Sequence, residues 1–465
     1  MSADSQKSYW LRSGLFSFFE KGSAFLFGFG ATVILMRYFS KADFGVWVWF
    51  LALTSILEVS LVGLNMNAVV KFSSTAKDKN EYRSIQTASL SLNITLTILA
   101  AIVLFGISML LEANPLFLGK NLDMTHLPYM LRVYCATIIM LIPFYHFNYM
   151  SQANLDFKGV FWSGFVRKGL FFLVVLSFLF LNDPQSITLL PVIQLGAAIL
   201  ASVIAFSFGK KYFAFGGKLD MKWVHTIFHY SKYTFGTNLS TMLYKTIDKF
   251  MLGGMISEVA IAIYQAAISI TNLVEVPATS VANVVFPQGA RNSEKTGEER
   301  KKSLCDLYEK SVGAILAILV PFIAVVFIVP ELPLWIIAGQ KYLDAAPILR
   351  ITILYGLFLP FAIQFGTVLD SMGKPKVNFY FTMASAVLNI FFNYIFIKNF
   401  GTIGAAYGTL CTYFVAFICF QFMLNNILGV KMYRPFQYIP GFYRQAFDIA
   451  KGFIGKKDVS AKTGV

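Results

Sequence analysis

The most constraining feature of this chain is a succession of apolar runs, each about as long as a lipid bilayer is thick. A helix needs about 20 mainly apolar residues to cross the hydrocarbon core of a membrane. Twelve such runs follow one another, separated by short polar breaks: residues 11–38, 44–70, 85–111, 130–152, 160–181, 187–209, 230–256, 259–286, 304–329, 345–369, 377–397 and 403–428. We therefore predict an all-α integral membrane protein with about 12 transmembrane helices.

The composition agrees with this prediction and excludes a soluble globular chain. Only 14% of the 465 residues are charged and 57% are hydrophobic, whereas soluble domains carry about 25% charged residues. The first apolar run contains Glu20 and Lys21 and lacks a small-residue cleavage site. We expect it to be retained as a helix rather than removed as a signal peptide.

The distribution of basic residues predicts the orientation in the membrane. The chain has 39 Lys and Arg against 24 Asp and Glu, a net charge of +15, and basic residues concentrate in cytoplasmic loops. With the N-terminus in the cytoplasm, 29 of them fall in cytoplasmic segments, including Lys158, Arg167 and Lys168, and 5 fall on the opposite side. This asymmetry predicts two cytoplasmic termini and explains the positive charge without a nucleic-acid partner.

The sequence contains no motif of a common enzyme or metal site. Its four cysteines and four histidines lack metal-ligand spacing, and the HExxH, P-loop, GxGxxG and GxSxG motifs are absent. We therefore expect neither catalysis nor a bound cofactor. Uphill transport would then depend on an H⁺ or Na⁺ gradient or on the membrane potential.

The two halves of the chain resemble each other. An ungapped alignment of the halves that places Ser40 on Ser257 also places Trp47 on Tyr264 and Glu58 on Glu275, and each half contains six spans. We predict an N-terminal six-helix bundle over 1–209, a cytoplasmic linker over 210–229, a C-terminal six-helix bundle over 230–428 and a basic cytoplasmic tail over 429–465. Two such bundles would surround a central cavity that can open to either side of the membrane.

Nine of the charged and amide side chains within the predicted spans are candidate site residues. A charge at bilayer depth is costly, by about 2.5–3.5 kcal/mol on insertion scales, and normally faces a cavity or a partner. The set comprises the basic Lys21, Lys245 and Lys249, the acidic Glu58, Asp248 and Glu275, and the amides Asn238, Asn272 and Asn389. We predict that the lysines bind an anionic headgroup and that the amides line the cavity. The acids would carry a coupling H⁺ or Na⁺, or balance the lysine charges.

A structural explanation of the same residues is also open. Lys245 and Lys249 can extend along the helix to reach a membrane interface, and Asp248 can form an intrahelical ion pair with Lys245. Residues 434–457 of the tail alternate aromatic and basic side chains. They predict either a basic helix at an anionic lipid surface or a solvated tail.

Three segments resemble a known family of transporters. They are RYFSKADFGVWVW at 37–49, IDKFMLGGMISEVAIAIYQAA at 247–267 and DSMGKPKVNFYFTMASAVLNIFFNYIFIKNFGTIGAAYGT at 370–409. The chain resembles the polysaccharide-biosynthesis flippases, the Wzx-type O-antigen and exopolysaccharide transporters of the multidrug/oligosaccharidyl-lipid/polysaccharide (MOP) superfamily. The resemblance covers nearly the whole chain.

The resemblance implies a fold, a function and partners. The fold would be the MATE-like pair of bundles, and the function would be movement of an undecaprenyl-pyrophosphate-linked oligosaccharide to the outer leaflet of the bacterial inner membrane by alternating access. The implied partners are this lipid, the membrane lipids, a polysaccharide polymerase and a chain-length regulator. Lys21, Lys245 and Lys249 match the basic cavity residues that hold the diphosphate, although the first half has Thr32 where the second has Lys249.

The sequence is also compatible with three other functions. An ion-coupled multidrug or metabolite exporter of the same superfamily should carry fewer lysines in its cavity. A lipid II flippase typically has two further helices. A membrane polysaccharide polymerase or O-antigen ligase needs a large external loop with catalytic arginines, whereas the outer connections predicted here are short.

Overall fold

The computed structural model describes residues 3–114, 125–181, 185–214 and 217–444, and it is helical throughout, with no strand in these ranges. The helices are α1 (Ala3–Tyr38), α2 (Lys41–Ser74), α3 (Lys79–Ala113), α4 (Leu127–Ala153), α5 (Phe157–Ser177), α6 (Leu189–Gly209), α7 (Met221–Met255), α8 (Glu258–Thr271), α9 (Glu275–Ser293), α10 (Gly297–Ile328), α11 (Glu331–Ile337), α12 (Ala346–Thr352), α13 (Tyr355–Ser371), α14 (Pro375–Phe400) and α15 (Thr402–Leu428). Short 3₁₀ turns join several of them.

The predicted membrane architecture is confirmed. Within the described ranges, ten helices are long and apolar enough to cross a bilayer, or eleven if the pair 340–352 and 355–371, bent by 53°, forms one broken span. The predicted seventh span falls on α7, which is 35 residues long. It is not one of the ten, and it carries four charged side chains between residues 232 and 249: Lys232, Lys245, Asp248 and Lys249.

Several helices begin at side chains that cap their first free N–H groups. The Ser40 hydroxyl accepts a hydrogen bond from the Asp43 N–H at 3.1 Å, and the Asp78 carboxylate accepts from the N–H groups of Asn80 and Glu81, both at 2.8 Å. Asp220 accepts from the Lys222 N–H at 2.9 Å. Such caps stabilise a helix by about 1 kcal/mol each, and they fix where α2, α3 and α7 begin.

The boundaries of the helices repeat along the chain, as the weak internal similarity predicts. Helices α3 and α10 begin at Lys79 and Gly297, and α5 and α14 begin at Phe157 and Pro375. The interval along the chain is the same for both pairs. Pro143 and Pro360 lie inside corresponding helices, α4 and α13. The halves also differ, because α4 is continuous whereas its counterpart is divided into α12 and α13.

The chain forms two compact units, residues 1–265 and 266–465. This division lies beyond the linker predicted at 210–229, because α7 packs along α2 within the first unit. At this contact, a Cβ added to Gly63 would lie 3.3 Å from Nδ2 of Asn238. Residues 221–229 of the predicted linker form the first turns of α7.

The second unit has an aromatic core. Tyr308, Phe361, Phe365, Phe417 and Phe420 pack together among its buried residues, and the rings of Phe365 and Phe420 stack with centroids 4.3 Å apart. Aromatic pairs of this kind add about 0.5–1.5 kcal/mol beyond the area they bury.

The first part of the predicted tail packs on this second unit. The buried carboxylate of Glu309 accepts a hydrogen bond from the Lys431 N–H at 2.9 Å and pairs with Arg434 at 3.5 Å. The Tyr443 hydroxyl donates to the Ala317 carbonyl at 2.8 Å. The remainder of the predicted amphipathic stretch, from residue 445, lies outside the described residues.

Candidate functional site: a cationic cavity in the first unit

The first unit contains a cavity of about 330 Å³, lined by residues from α1, α2, α4, α5, α6, α7 and α8. Its wall includes the aromatic side chains Phe27, Phe44, Trp47, Tyr134 and Phe171 and the charged side chains Glu58, Arg167, Lys168 and Lys249. A largely apolar pocket with a few convergent polar groups is typical of a small-molecule site.

An ion pair joins α2 to α5 at the wall of this cavity. Nη1 of Arg167 lies 2.7 Å from Oε1 of Glu58, and the two side chains are 17% and 28% exposed. The guanidinium also packs over the ring of Phe144, with Cζ 5.2 Å from the centroid. This cation–π contact and the ion pair together fix the position of Arg167.

Two tyrosines of α4 complete the environment of Glu58. The Tyr145 hydroxyl donates to Oε1 of Glu58, and the Tyr134 hydroxyl lies 3.2 Å from Oε2. Tyr134 and Tyr145 are about three helical turns apart, so they lie on one face of α4. The carboxylate lies between the two hydroxyls and has hydrogen-bond partners on both oxygens.

The other two cations of the cavity have free ammonium groups. Neither Nζ of Lys168 nor Nζ of Lys249 forms a hydrogen bond or an ion pair with any residue in the described part of the chain. Lys168 lies within electrostatic range of Glu20 and Glu58. Three cations and one carboxylate therefore face the cavity, and the carboxylate is already paired.

Asp248 lies behind this wall rather than on it. Its side chain is buried, 6% exposed, and its carboxylate accepts a hydrogen bond from the Lys249 N–H at 3.0 Å. It also interacts with the Tyr264 side chain. Asp248 is therefore a buried acid directly beside the cavity cation Lys249.

The structure brings together two of the nine predicted site residues, Glu58 and Lys249, as cavity-lining residues. Lys21 and Lys245 are exposed and do not line this cavity, and Asn238 packs against α2 at Gly63.

The other three predicted residues belong to the second unit. Asn272 is exposed and Glu275 is partly buried. Asn389 is fully buried, donates to the Thr409 hydroxyl at 3.1 Å and accepts from the Asn393 amide at 3.1 Å. Asn389 therefore joins α14 to α15.

Sequence reasoning missed Arg167 and Lys168 as site residues. The positive-inside pattern places both in the cytoplasmic charge excess, but α5 runs continuously through them and both side chains line the cavity. The signal was available, because they fall inside the predicted span 160–181, where a cation should face a cavity or a partner.

Comparison with known proteins agrees with this architecture. Residues 11–293 match the model of a family described as polysaccharide biosynthesis protein, and residues 234–395 match the MatE family model. A probable low-salt glycan biosynthesis flippase, Agl15 of Haloferax volcanii, is 23% identical over 221 residues. That match spans 48% of this chain and 45% of the relative, so it reaches less than half the length of the curated protein.

Two solved structures share the fold. An inward-facing multidrug resistance MATE family transporter of the MOP superfamily has a TM-score of 0.73 and 16% identity, covering 87% of this chain and 95% of its own. The lipid II flippase MurJ, in an inward closed conformation, also has a TM-score of 0.73 and 16% identity, covering 91% and 89%. This chain is a multi-pass membrane protein with the MOP-superfamily fold, and it belongs to the polysaccharide biosynthesis protein family.

Proposed function

We propose that this protein is a flippase that moves an undecaprenyl-pyrophosphate-linked oligosaccharide from the cytoplasmic to the outer leaflet of the bacterial inner membrane. The observation that carries the proposal is the charge of the first-unit cavity: Arg167, Lys168 and Lys249 face it, and the carboxylate of Glu58 is paired. The glycan flippase among its relatives and the family match support the same function.

The chemistry of the three cations suits a diphosphate. Lysine ammonium groups bind phosphate as point charges, and an arginine guanidinium offers a planar fork of donors. In this cavity Lys168 and Lys249 have free ammonium groups, and no described residue accepts a hydrogen bond from Nε or Nη2 of Arg167. An anionic headgroup entering the cavity would therefore meet unused donors on α5 and α7.

The size of the cavity suggests which part of the substrate it would hold. Pockets for drug-sized ligands measure about 300–1,000 Å³, and this one measures about 330 Å³. It would hold the diphosphate and the nearest part of the glycan, with the polyprenyl chain left in lipid. We assign alternating access and cytoplasmic termini to the protein as part of the same proposal.

Asp248 is the residue to which we assign H⁺ or Na⁺ coupling. Buried carboxylates in membrane helices are typical ion carriers. Glu58 is less suited to this role because Arg167 already compensates its charge, whereas Asp248 is buried one residue from Lys249. Loss of flipping in Asp248→Asn with retained substrate binding would support this assignment.

An ion-coupled exporter of organic cations is the second candidate, favoured by the MatE family match over 234–395. The excess of cations in the cavity opposes it, since a cationic drug would be repelled. We propose that the protein is a transporter and not a membrane polymerase or ligase. A polysaccharide polymerase and a chain-length regulator would then act on the lipid-linked oligosaccharide that it delivers.

The test is transbilayer movement of a labelled undecaprenyl-pyrophosphate oligosaccharide in vesicles that contain the purified protein. We expect Lys168→Gln and Lys249→Gln each to lower the initial rate at least about tenfold, since close charge pairs contribute about 1.5 kcal/mol or more. Lys398→Gln, an exposed lysine at the end of α14, is the matched control and should leave the rate unchanged. Failure to move such lipids, with ion-driven export of a cationic dye instead, would establish the exporter.

A further inference from the structure

Glu58 is the only carboxylate among the described residues that line the cavity. Its charge opposes the binding of an anion, yet the fold holds it firmly in place. Both of its oxygens have partners: Oε1 is bound by Arg167 and Tyr145, and Oε2 by Tyr134.

The same carboxylate occupies one nitrogen of the strongest phosphate-binding group in the cavity. Nη1 of Arg167 is bound to Glu58 at 2.7 Å and lies 3.4 Å from the Tyr145 hydroxyl, while Nε and Nη2 have no acceptor in the described ranges. A phosphate can therefore approach Arg167, but it reaches the full guanidinium fork only by displacing Glu58.

We propose that Glu58 is a built-in counter-anion that competes with the anionic headgroup for Arg167 and so promotes release of the headgroup after translocation. The proposal rests on the flippase function given above and adds a role for one residue. In it, Arg167 contacts the substrate and Glu58 is a positioning residue that acts through Arg167.

The need for such a residue follows from the task of a transporter. A site must bind its substrate strongly enough to load it and weakly enough to let it leave. Without Glu58 the cavity would present Arg167, Lys168 and Lys249 with no opposing charge, and a diphosphate would be held tightly. A carboxylate fixed beside Arg167 can form its ion pair with the guanidinium again as the phosphate leaves.

A purely structural ion pair would be placed differently. Glu331 and Arg350 form such a pair: they are 3.1 Å apart, both side chains are about half exposed, and neither lines a described cavity. Glu58 and Arg167 instead sit at a cavity wall with two further cations that have no ion-pair partner among the described residues. This setting gives the pair access to an incoming anion.

The decisive experiment measures transport kinetics and equilibrium binding of undecaprenyl pyrophosphate for the wild type and Glu58→Gln. We expect Glu58→Gln to bind the lipid about tenfold more tightly, because close charge pairs couple by about 1.5 kcal/mol or more. KM should fall as well. The maximal rate should fall at least about tenfold, because the tightly bound headgroup leaves more slowly. Glu331→Gln breaks the exposed ion pair and should change neither quantity.

A second variant gives a prediction of opposite sign. Tyr145→Phe removes the hydroxyl that donates a hydrogen bond to Oε1 of Glu58. The carboxylate should then bind Arg167 more strongly, and the headgroup should bind more weakly. We expect KM to rise several-fold in Tyr145→Phe. This variant also carries the test if Glu58→Gln does not fold, which thermal unfolding in detergent will show.

The outcomes separate the two proposals. If the wild type neither binds nor moves undecaprenyl-pyrophosphate lipids, the flippase function itself is wrong. If the wild type does both and Glu58→Gln binds the lipid equally or more weakly, Glu58 does not compete with the headgroup and the counter-anion role is overturned. A rise in affinity without a fall in the maximal rate would equally overturn its role in release.

Discussion

Leu155 and Gly373 occupy corresponding turns in the two halves of the chain, and both have a left-handed backbone, with φ of 58° and 74°. Each residue lies in the turn between two long helices, before α5 in the first case and before α14 in the second. The turn geometry is therefore shared by both halves, although only the second half has the glycine that suits it.

This pair predicts opposite effects on stability. A left-handed conformation costs a non-glycine residue about 1–2 kcal/mol, and glycine loses about 0.5–1 kcal/mol more conformational entropy on folding. Leu155→Gly should therefore raise the free energy of unfolding by about 0.5–1 kcal/mol, and Gly373→Leu, in which the same two effects act in reverse, should lower it by about 0.5–1 kcal/mol. Thermal unfolding in detergent measures both, and shifts of the same sign would contradict the shared turn.

The segment after α6 is held against α3 by a buried amide. Gln86 is 1% exposed; its Nε2 donates to the Tyr212 carbonyl at 2.8 Å, and its Oε1 accepts from the Ala214 N–H at 3.1 Å. Gln86→Ala leaves both backbone groups without this partner and should lower the free energy of unfolding by about 2–3 kcal/mol. Limited proteolysis should then cut near residues 210–220. The control variant Thr95→Ala, at an exposed residue of the same helix, should behave like the wild type.

Asp156 gives this region a dependence on pH. Burial raises the pKa of Asp156, but the hydrogen bonds from Lys211 and Tyr212 outweigh it and hold the pKa below its usual value of 3.8. Lys211 lies 2.7 Å from Oδ2, and the Tyr212 hydroxyl lies 3.1 Å from the same oxygen.

A carboxylate with a lowered folded-state pKa stabilises the fold above its unfolded pKa, and the stabilisation disappears as the pH falls through the folded pKa. Stability from Asp156 should therefore be complete at neutral pH and disappear below about pH 4. Thermal unfolding of the wild type and Asp156→Asn between pH 7 and 3 measures this. The two midpoints should converge at the acid end, and a constant difference would contradict the assignment.

Hydropathy was sufficient to predict the membrane fold because a bilayer leaves a chain few options. Every backbone polar group at bilayer depth must be bonded within the protein, which selects long helices. The repeat was visible at Ser40 and Ser257 because corresponding helices begin after similar turns. The boundary between the two compact units could not be predicted from hydropathy or from the repeat, because it depends on the close packing of α7 against α2 at Gly63.

The candidate site was only partly predictable for a related reason. Glu58 and Lys249 stood out as charges inside spans, but the partner of Glu58 is Arg167, on a helix far along the chain. Pairing such residues requires the rotation and packing of α2 and α5, which hydropathy does not supply. The repeat gave no help either, because the position in the second half that corresponds to Arg167 is Ser385.

A variant at Asn389 tests whether this residue lines a cavity or packs two helices together. It is fully buried in the second unit and hydrogen-bonded to Thr409 and Asn393, as expected of a residue that joins α14 to α15. Interhelical hydrogen bonds in membranes are worth about 0.6 kcal/mol on average, and a partner left unsatisfied adds about 1 kcal/mol or more. Asn389→Ala should therefore lower the free energy of unfolding by about 1–2 kcal/mol.

The same variant should leave transport intact. Asn389 belongs to the second unit and is not one of the residues that line the first-unit cavity, so the rate of lipid movement per folded molecule should match the wild type. Lys249→Gln should show the reverse, with a loss of rate and little change in unfolding, because its ammonium group forms no hydrogen bond or ion pair with a described residue. A loss of transport in fully folded Asn389→Ala would contradict a purely structural role and would support the cavity-lining role that the sequence pattern predicts.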